Sequence, residues 1–337
     1  MEQAVRVFVA GASGALGVPL VRQLVAQGHQ VTGLTRHAAK RTLLEGLGAE
    51  AVVANALDPD ALRAAVVAAQ PDVVVHALTA IPRRGPLRAR DIRATDRLRV
   101  EGTSNLLASS VAAGARRLVA ESMVLVYGFG DHGAEFLTEQ HPAAERSPTS
   151  WLQQSVDALR ELERQVLQAT ARGEIEGIVL RFGFFYGPVP GMETMVRLLR
   201  RRFVGVPGGV SGIGSWVHVE DAAAAVVAAI RHGRPGQVYN VVDDEPVGAG
   251  ELLAALASEV EAPAPRLVPR WLVRLAAPFL LADLETVIRV SNAKAKHELN
   301  WRPAFPTYRD GLADLAATLG REQRHKSSVR CRRWSNR

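Results

Sequence analysis

Residues 5–10, VRVFVA, are a short run of β-prone apolar residues leading straight into three glycines, Gly11, Gly14 and Gly17. The stretch ALGVPLVRQLVAQG follows at once, with apolar residues at helical spacing. A strand joined to a helix through so short a connection leaves the chain few ways to continue. The helix must pack back on its strand, and the crossover to a next parallel strand is right-handed. Gly11 permits the tight turn, Gly14 lets backbone approach a pyrophosphate, and Gly17 lets helix and strand pack closely. The helix N-terminus adds N–H donors and a partial positive charge. Gly11, Ser13, Gly14 and Gly17 are therefore candidate cofactor contacts, although the spacing is G-x-x-G-x-x-G rather than the more usual G-x-G-x-x-G.

The same rhythm continues. QVTGLT (30–35), AEAVVA (49–54), DVVVHAL (72–78), RRLVAES (116–122) and EGIVLRF (176–182) read as strands, separated by segments of helical period. This alternation predicts an α/β fold, a doubly wound parallel sheet of Rossmann type with helices on both faces. The expected organisation is a dinucleotide-binding domain over 1–182, with 216–243 returning to it. A smaller, mostly helical substrate lobe spans 183–320, and a basic, disordered tail 321–337.

Composition narrows the functional classes. The net charge of +7 suggests an anionic partner, but the last 17 residues hold seven Arg/Lys and one Glu, which leaves only +1 for the rest. The tail reads as a solvated end, and nucleic acid is not expected as a partner. The one cysteine, Cys331, lies in that tail, so no disulfide, cysteine metal site or Cys nucleophile is expected in the folded body. No apolar run reaches the roughly 18 residues needed to span a bilayer. The opening MEQAVRVFVAGASG does not read as a signal peptide, so the expectation is cytoplasmic. PRWLVRLAAPFLLADL (269–284) reads as the wall of an apolar substrate pocket or as a homodimer contact, ahead of a membrane-surface helix.

The second strand ends GLTRHAAK, with Arg36 where an acid would hold the ribose hydroxyls of NAD. A guanidinium can clamp a 2′-phosphate that an acid would repel, so NADP is favoured and NAD is the alternative.

With these residues in place, the chain resembles the extended short-chain dehydrogenase/reductases, the NAD-dependent epimerase/dehydratase group. GASGALG, VVANALDP, VVVHALTA, VEGTSNLLASS, VYG, GIVLRFGFFYGP, VHVEDAA, VYNVVDDEP and SNAKAKHELNWRP carry the likeness in order, from Val5 to about Gly320. The resemblance implies that Asn55 and Ala56 lie by the adenine and Ala77 by the cofactor ribose. It also implies catalysis by a Tyr and a Lys four residues apart on a helix, with a Ser or Thr after the fifth strand. Here the matching positions are Ser155, Leu159 and Met123, and Arg99 replaces the Asn before V-x-G-T. The usual acid–base set is absent.

Leu159 shares helical spacing with Leu152, Val156, Leu162 and Val166, which assigns it to the core. Ser122 and Tyr127 are the catalytic candidates, with Glu121 as a general acid if burial raises its pKa. Arg99 and Tyr186 are substrate candidates; for Arg99 a local pair with Asp96 is the equal alternative. His218, Glu220 and Asp221 are read as a helix start, and no metal is expected. The leading reading is an NADP-dependent oxidoreductase acting on an alcohol or carbonyl of a small molecule. An epimerase/dehydratase and a non-catalytic NADP(H)-responsive protein are the alternatives.

Overall fold

The computed structural model describes residues 4–82 and 85–319. Strands and helices alternate as β1 (Arg6–Ala10), α1 (Gly17–Ala26), β2 (Gln30–Thr35), α2 (Arg41–Gly46), β3 (Glu50–Val53), α3 (Pro59–Ala69), β4 (Val73–His76), α4 (Ala89–Arg97), α5 (Thr103–Ala112), β5 (Arg117–Met123), α6 (Ser150–Ala171) and β6 (Glu176–Phe182). The chain continues as β7 (Phe184–Tyr186), α7 (Met192–Arg200), β8 (Gly205–Pro207), β9 (Trp216–His218), α8 (Val219–His232), β10 (Val238–Val241), α9 (Ala249–Glu259), β11 (Arg266–Val268), α10 (Arg270–Ala276), α11 (Pro278–Glu285) and α12 (Ala293–Glu298). A last helix occupies 308–319.

Seven strands form one sheet in the order β10-β6-β5-β4-β1-β2-β3, and every pairing is parallel. This is the doubly wound Rossmann arrangement. Its central strands are apolar on both faces because helices cover both. Val7, Val9, Val75 and Val119 pack with Leu20 and Leu24 of α1 and Val226 of α8. Their alternate neighbours Phe8, Ala10, Val74 and Leu118 pack with Leu62 of α3, Leu106 of α5 and Leu162 of α6. Burying two faces of one sheet is the main source of stability here. Helix starts follow local chemistry: Asp58 accepts the Ala61 N–H ahead of Pro59, and Thr149 accepts the Leu152 N–H.

After β6 the chain builds a smaller lobe at the sheet's C-terminal edge. There β7 pairs with β9 and β8 with β11, while β10 returns beside β6. Segment 269–284 divides: Leu281 and Phe279 of α11 are buried, whereas α10 leaves Trp271, Leu272 and Leu275 exposed. Among the described residues no helix is long and apolar enough to cross a membrane. The basic run 321–337 lies outside the described residues.

Candidate active site

The glycine loop sits between β1 and α1 as its spacing requires. Gly11 has φ +96, and a Cβ there would lie 2.0 Å from the Ala77 carbonyl oxygen. A Cβ on Gly17 would lie 2.2 Å from the Gly11 oxygen. Only glycine fits either place. Helix α1 starts without a side-chain cap, so no side-chain acceptor occupies its first-turn N–H groups. Ser13 Oγ is 3.1 Å from Thr35 Oγ1, which ties the loop to the end of β2.

A cleft of ≈340 Å³ opens over this loop, and Gly11, Ser13, Gly14, Arg36, Asn55, Ala56 and Ala77 all line it. Arg36 is exposed, with Nε 3.0 Å from His37 Nε2; Lys40 completes a basic rim, and no carboxylate among the described residues lines this cleft. Asn55 Oδ1 accepts the Leu57 N–H at 3.1 Å, which leaves its second lone pair and its amide. The Ala56 carbonyl is held by Asn105. The donor set, the backbone cradle and the basic rim fit a phosphate-bearing dinucleotide. A larger cleft of ≈1130 Å³ shares Gly14 and Pro190 with this one and runs along α1 towards Asp314. It contains none of the catalytic candidates.

The catalytic candidates are placed less simply. Ser122 is buried and donates to Glu163 Oε1 at 2.6 Å. Glu163 also accepts two bonds from Arg181, at 2.9 and 2.7 Å. The Arg181 guanidinium lies 4.8 Å from the centre of the Tyr127 ring. Tyr127 donates towards Thr138 O and Asn240 Oδ1 and is itself buried. Both hydroxyls therefore serve an internal network between α6 and the sheet, and neither lines a described cleft. Burial pushes the Tyr127 phenol above its ordinary range, the wrong direction for a proton donor at neutral pH.

Tyr186 departs from expectation in the same way. Its ring packs among Val196, Leu252 and Leu312 in the small lobe, and its hydroxyl reaches Thr307 O at 3.2 Å. Burial and the neighbouring Asp243 raise its pKa strongly. His218 is fully buried between Tyr186 and Phe305, and burial lowers its pKa to about 4. Asp221 accepts the Ala304 and Phe305 N–H groups, and Glu220 pairs with Arg22. No cluster that could hold a metal occurs among the described residues.

A different group gathers where the standard relay would stand. A π-helical turn, Leu98–Gly102, joins α4 to α5 and presents Arg99. Its guanidinium is 3.0 Å from Asp96 Oδ1 and 3.3 Å from the Met123 sulfur. Ser155 donates to the other Asp96 oxygen at 3.0 Å. Leu159, one turn on, is 1% exposed in an apolar cluster with Leu125, Val156 and Ile288. Burial raises the Asp96 pKa, opposed by Arg99 and Ser155. Glu121 lies one step beyond the His76–Ala120 register pair, beside Ala77 of the cleft. Its partly exposed carboxyl makes no hydrogen bond among the described residues. Desolvation pushes its pKa up to about 7, with Arg99 pulling the other way.

The sequence pattern of the NAD dependent epimerase/dehydratase family matches residues 7–242. The chain belongs to that family. A Streptomyces protein named 3-diazoavenalumate denitrifying reductase is 40% identical over 91% of this chain and 99% of its own. A Stigmatella aurantiaca enzyme, named 4-hydroxy-2-methyl-3-oxo-4-farnesyl-3,4-dihydroquinoline-1-oxide ketoreductase, is 29% identical over 74% of this chain and 72% of its own. The crystal structure of UDP-glucose 4-epimerase from Thermus thermophilus in complex with NAD superposes with TM-score 0.75 at 21% identity, covering 93% of this chain and 98% of that one. This family member is an NAD(P)-dependent oxidoreductase or epimerase/dehydratase.

Glu163, which is buried, and Asp283, which is half-buried with one oxygen buried, are not among the sequence candidates, and both carry a signal. Glu163 falls between Leu159 and Val166 on the apolar stripe of α6, and Asp283 sits among Leu280, Leu281 and Leu284. A carboxylate on an apolar stripe asks for a buried partner.

Proposed function

We propose that this chain is an NADP(H)-dependent reductase that removes the diazo group of a small organic molecule. The observation that carries the reading is the replaced relay: Ser155 is held by Asp96, Leu159 is core, and Met123 offers no hydroxyl. A carbonyl that receives a hydride becomes an alkoxide and needs a proton from the protein. A diazo substrate does not. Written for its diazonium form, the hydride pair makes the new C–H bond, the C–N pair leaves with N2, and the positive charge is cancelled. A site without Tyr and Lys suits that chemistry, and the Streptomyces relative is named for it.

The reduced nicotinamide, when bound, supplies the hydride. The chain's own residues bind and orient. Gly11, Ser13 and Gly14 would hold the pyrophosphate, with Gly17 letting α1 pack close behind them, Asn55 and Ala56 the adenine, Ala77 the ribose, and Arg36 the 2′-phosphate. Arg99, fixed by Asp96 and Met123, is a positioning residue at the sheet edge.

Glu121 favours a second reading. A carboxyl with a pKa of about 7 beside the cleft can donate a proton in carbonyl reduction, and the Stigmatella relative is named a ketoreductase. One experiment separates the two. NADPH oxidation is followed with 4-carboxybenzenediazonium, isotopically labelled in the diazo group, and with a ketone panel, for wild type and Glu121→Gln. The diazo reading expects labelled N2 release that Glu121→Gln leaves within twofold and that is flat across the pKa of about 7. No N2 release overturns it. Carbonyl reduction through Glu121 would fall as pH rises above about 7, where the carboxyl loses its proton, and would collapse in the Gln variant.

A further inference from the structure

Beyond the sheet edge lies a separate, smaller pocket of ≈190 Å³, walled by Pro86, Phe184, Trp216, Leu280 and Leu284. Phe184 follows Phe182, the register partner of Met123, and both Phe184 and Met123 pack against one apolar cluster. The pocket and the Arg99 cluster thus border the same apolar cluster. The Phe184 and Trp216 rings stand 5.3 Å apart and form an aromatic corner. Gly214 lies against both, since a Cβ there would come within 3.1 Å of Trp216 Nε1 and 3.4 Å of the Phe184 ring.

The polar groups in this pocket are few, and all but one are used. Trp216 Nε1 donates to Val247 O. Thr286 Oγ1 donates to Ala282 O and accepts the Gly130 N–H. Asp283 alone has no partner: its buried Oδ1 finds no donor among the described residues. Burial pushes its pKa up to about 8, and among the described residues no neighbouring charge or hydrogen bond offsets this.

The size bounds the ligand. An apolar cavity of about 150 Å³ holds one benzene molecule, so this pocket suits a single ring with a small substituent. Clefts that enclose drug-sized or nucleotide ligands run to roughly 300–1,000 Å³, which excludes a nucleoside-diphosphate sugar here. We propose that this pocket holds a single aromatic ring bearing a hydrogen-bond donor, a hydroxyl or an amine, and that Asp283 accepts that donor. Phe184 and Trp216 offer the ring an edge and a face, and the donor satisfies an oxygen that has no partner among the described residues. The proposal rests on the reductase reading only in taking this ring to be part of the substrate.

The test is calorimetric and needs neither cofactor nor diazo compound. The full chain is titrated above about pH 8, where the Asp283 carboxyl is ionised and can only accept, with p-cresol, p-toluidine, toluene and 4-methylanisole, the last bearing an oxygen acceptor but no donor. Wild type is expected to bind p-cresol or p-toluidine at least tenfold more tightly than toluene, and 4-methylanisole no better than toluene. Asp283→Leu should bring all four within twofold while still binding toluene; Asp283→Asn, which keeps an acceptor oxygen, should retain part of the preference. Equal binding of p-cresol, p-toluidine and toluene by wild type, a preference that survives Asp283→Leu, or no binding of any of the four overturns the proposal. If Asp283→Leu does not fold, the 4-methylanisole comparison in wild type decides. A chain that discriminates through Asp283 yet releases no N2 overturns the reductase reading alone.

Discussion

Glu163 is a heavily engaged buried side chain. Its two oxygens take three bonds, from Arg181 and Ser122, in surroundings where Arg181 is also buried. Removing one member strands the other charge, which costs about 3–5 kcal/mol. Glu163→Ala is therefore expected to lower the urea midpoint by that equivalent without changing the m-value. Ser122→Ala removes only one hydroxyl and should cost about 1 kcal/mol, with turnover per folded molecule unchanged. A loss of turnover at unchanged stability would return Ser122 to catalysis. Arg36 poses the opposite case, an exposed cation at the cleft rim. Arg36→Ala should weaken NADPH binding at least about tenfold, as expected for charge-assisted bonds, and leave NADH within twofold. Equal wild-type affinities for NADPH and NADH, by calorimetric titration, would remove the NADP assignment.

Helix α6 decides which chemistry the site can run. Its inner stripe, Leu152, Val156, Leu159 and Leu162, is buried against the ends of β5 and the small lobe. Where the family relay would place a lysine, this helix packs Leu159 beside Leu125 and Ile288. Restoring the pair by Ser155→Tyr and Leu159→Lys is thus expected to destabilise the fold by several kcal/mol, because the ammonium would be buried without a partner. A chemical-denaturation curve unchanged from wild type would show that the helix tolerates the pair. This loss was legible in the sequence, since the spacing that identified the helix also identified the residues on it. The destination of Ser122 was not. Strand pleating puts Ser122 on the same face as Leu118 and Ala120, which α6 covers, and Glu121 on the face of Val119. Periodicity shows that the two differ in face, and only packing shows which face meets the cleft.

Across the whole molecule, His76 and His218 carry a pH dependence. Both are buried, and burial lowers each pKa to about 4 from 6.5. The unfolded chain therefore takes up these protons first as pH falls. Stability from each is complete above about pH 6.5, is lost as pH drops towards 4, and levels off below that. The shift corresponds to about 3 kcal/mol per histidine. Comparing wild type with His218→Leu isolates one of them: their stability difference should move by about that amount between neutral pH and pH 4. A constant difference would mean that folding leaves the His218 pKa unshifted. Buried acids act in the opposite sense. Asp243 and Asp283, raised to about 8, favour low pH, and their contribution is lost as pH rises through that value.

The sequence by itself determined the strand–helix order, the glycine loop, the cationic end of β2 and the absence of the Tyr–Lys pair. All four are local, set by residue type and spacing within one or two elements. The tertiary structure decided where the remaining hydroxyls and carboxyls point. Tyr127 and Tyr186 stand near the functional edge in sequence, yet each is drawn inward because a buried phenol needs both apolar cover and a carbonyl to satisfy. Arg99 meets Asp96 on its own turn, but Ser155 and Met123 reach that pair only through α6 and β5. Asp283 faces an aromatic corner built from β7 and β9, far away in the chain. Contacts between distant segments are fixed by how the layers close, and no local pattern encodes that closure.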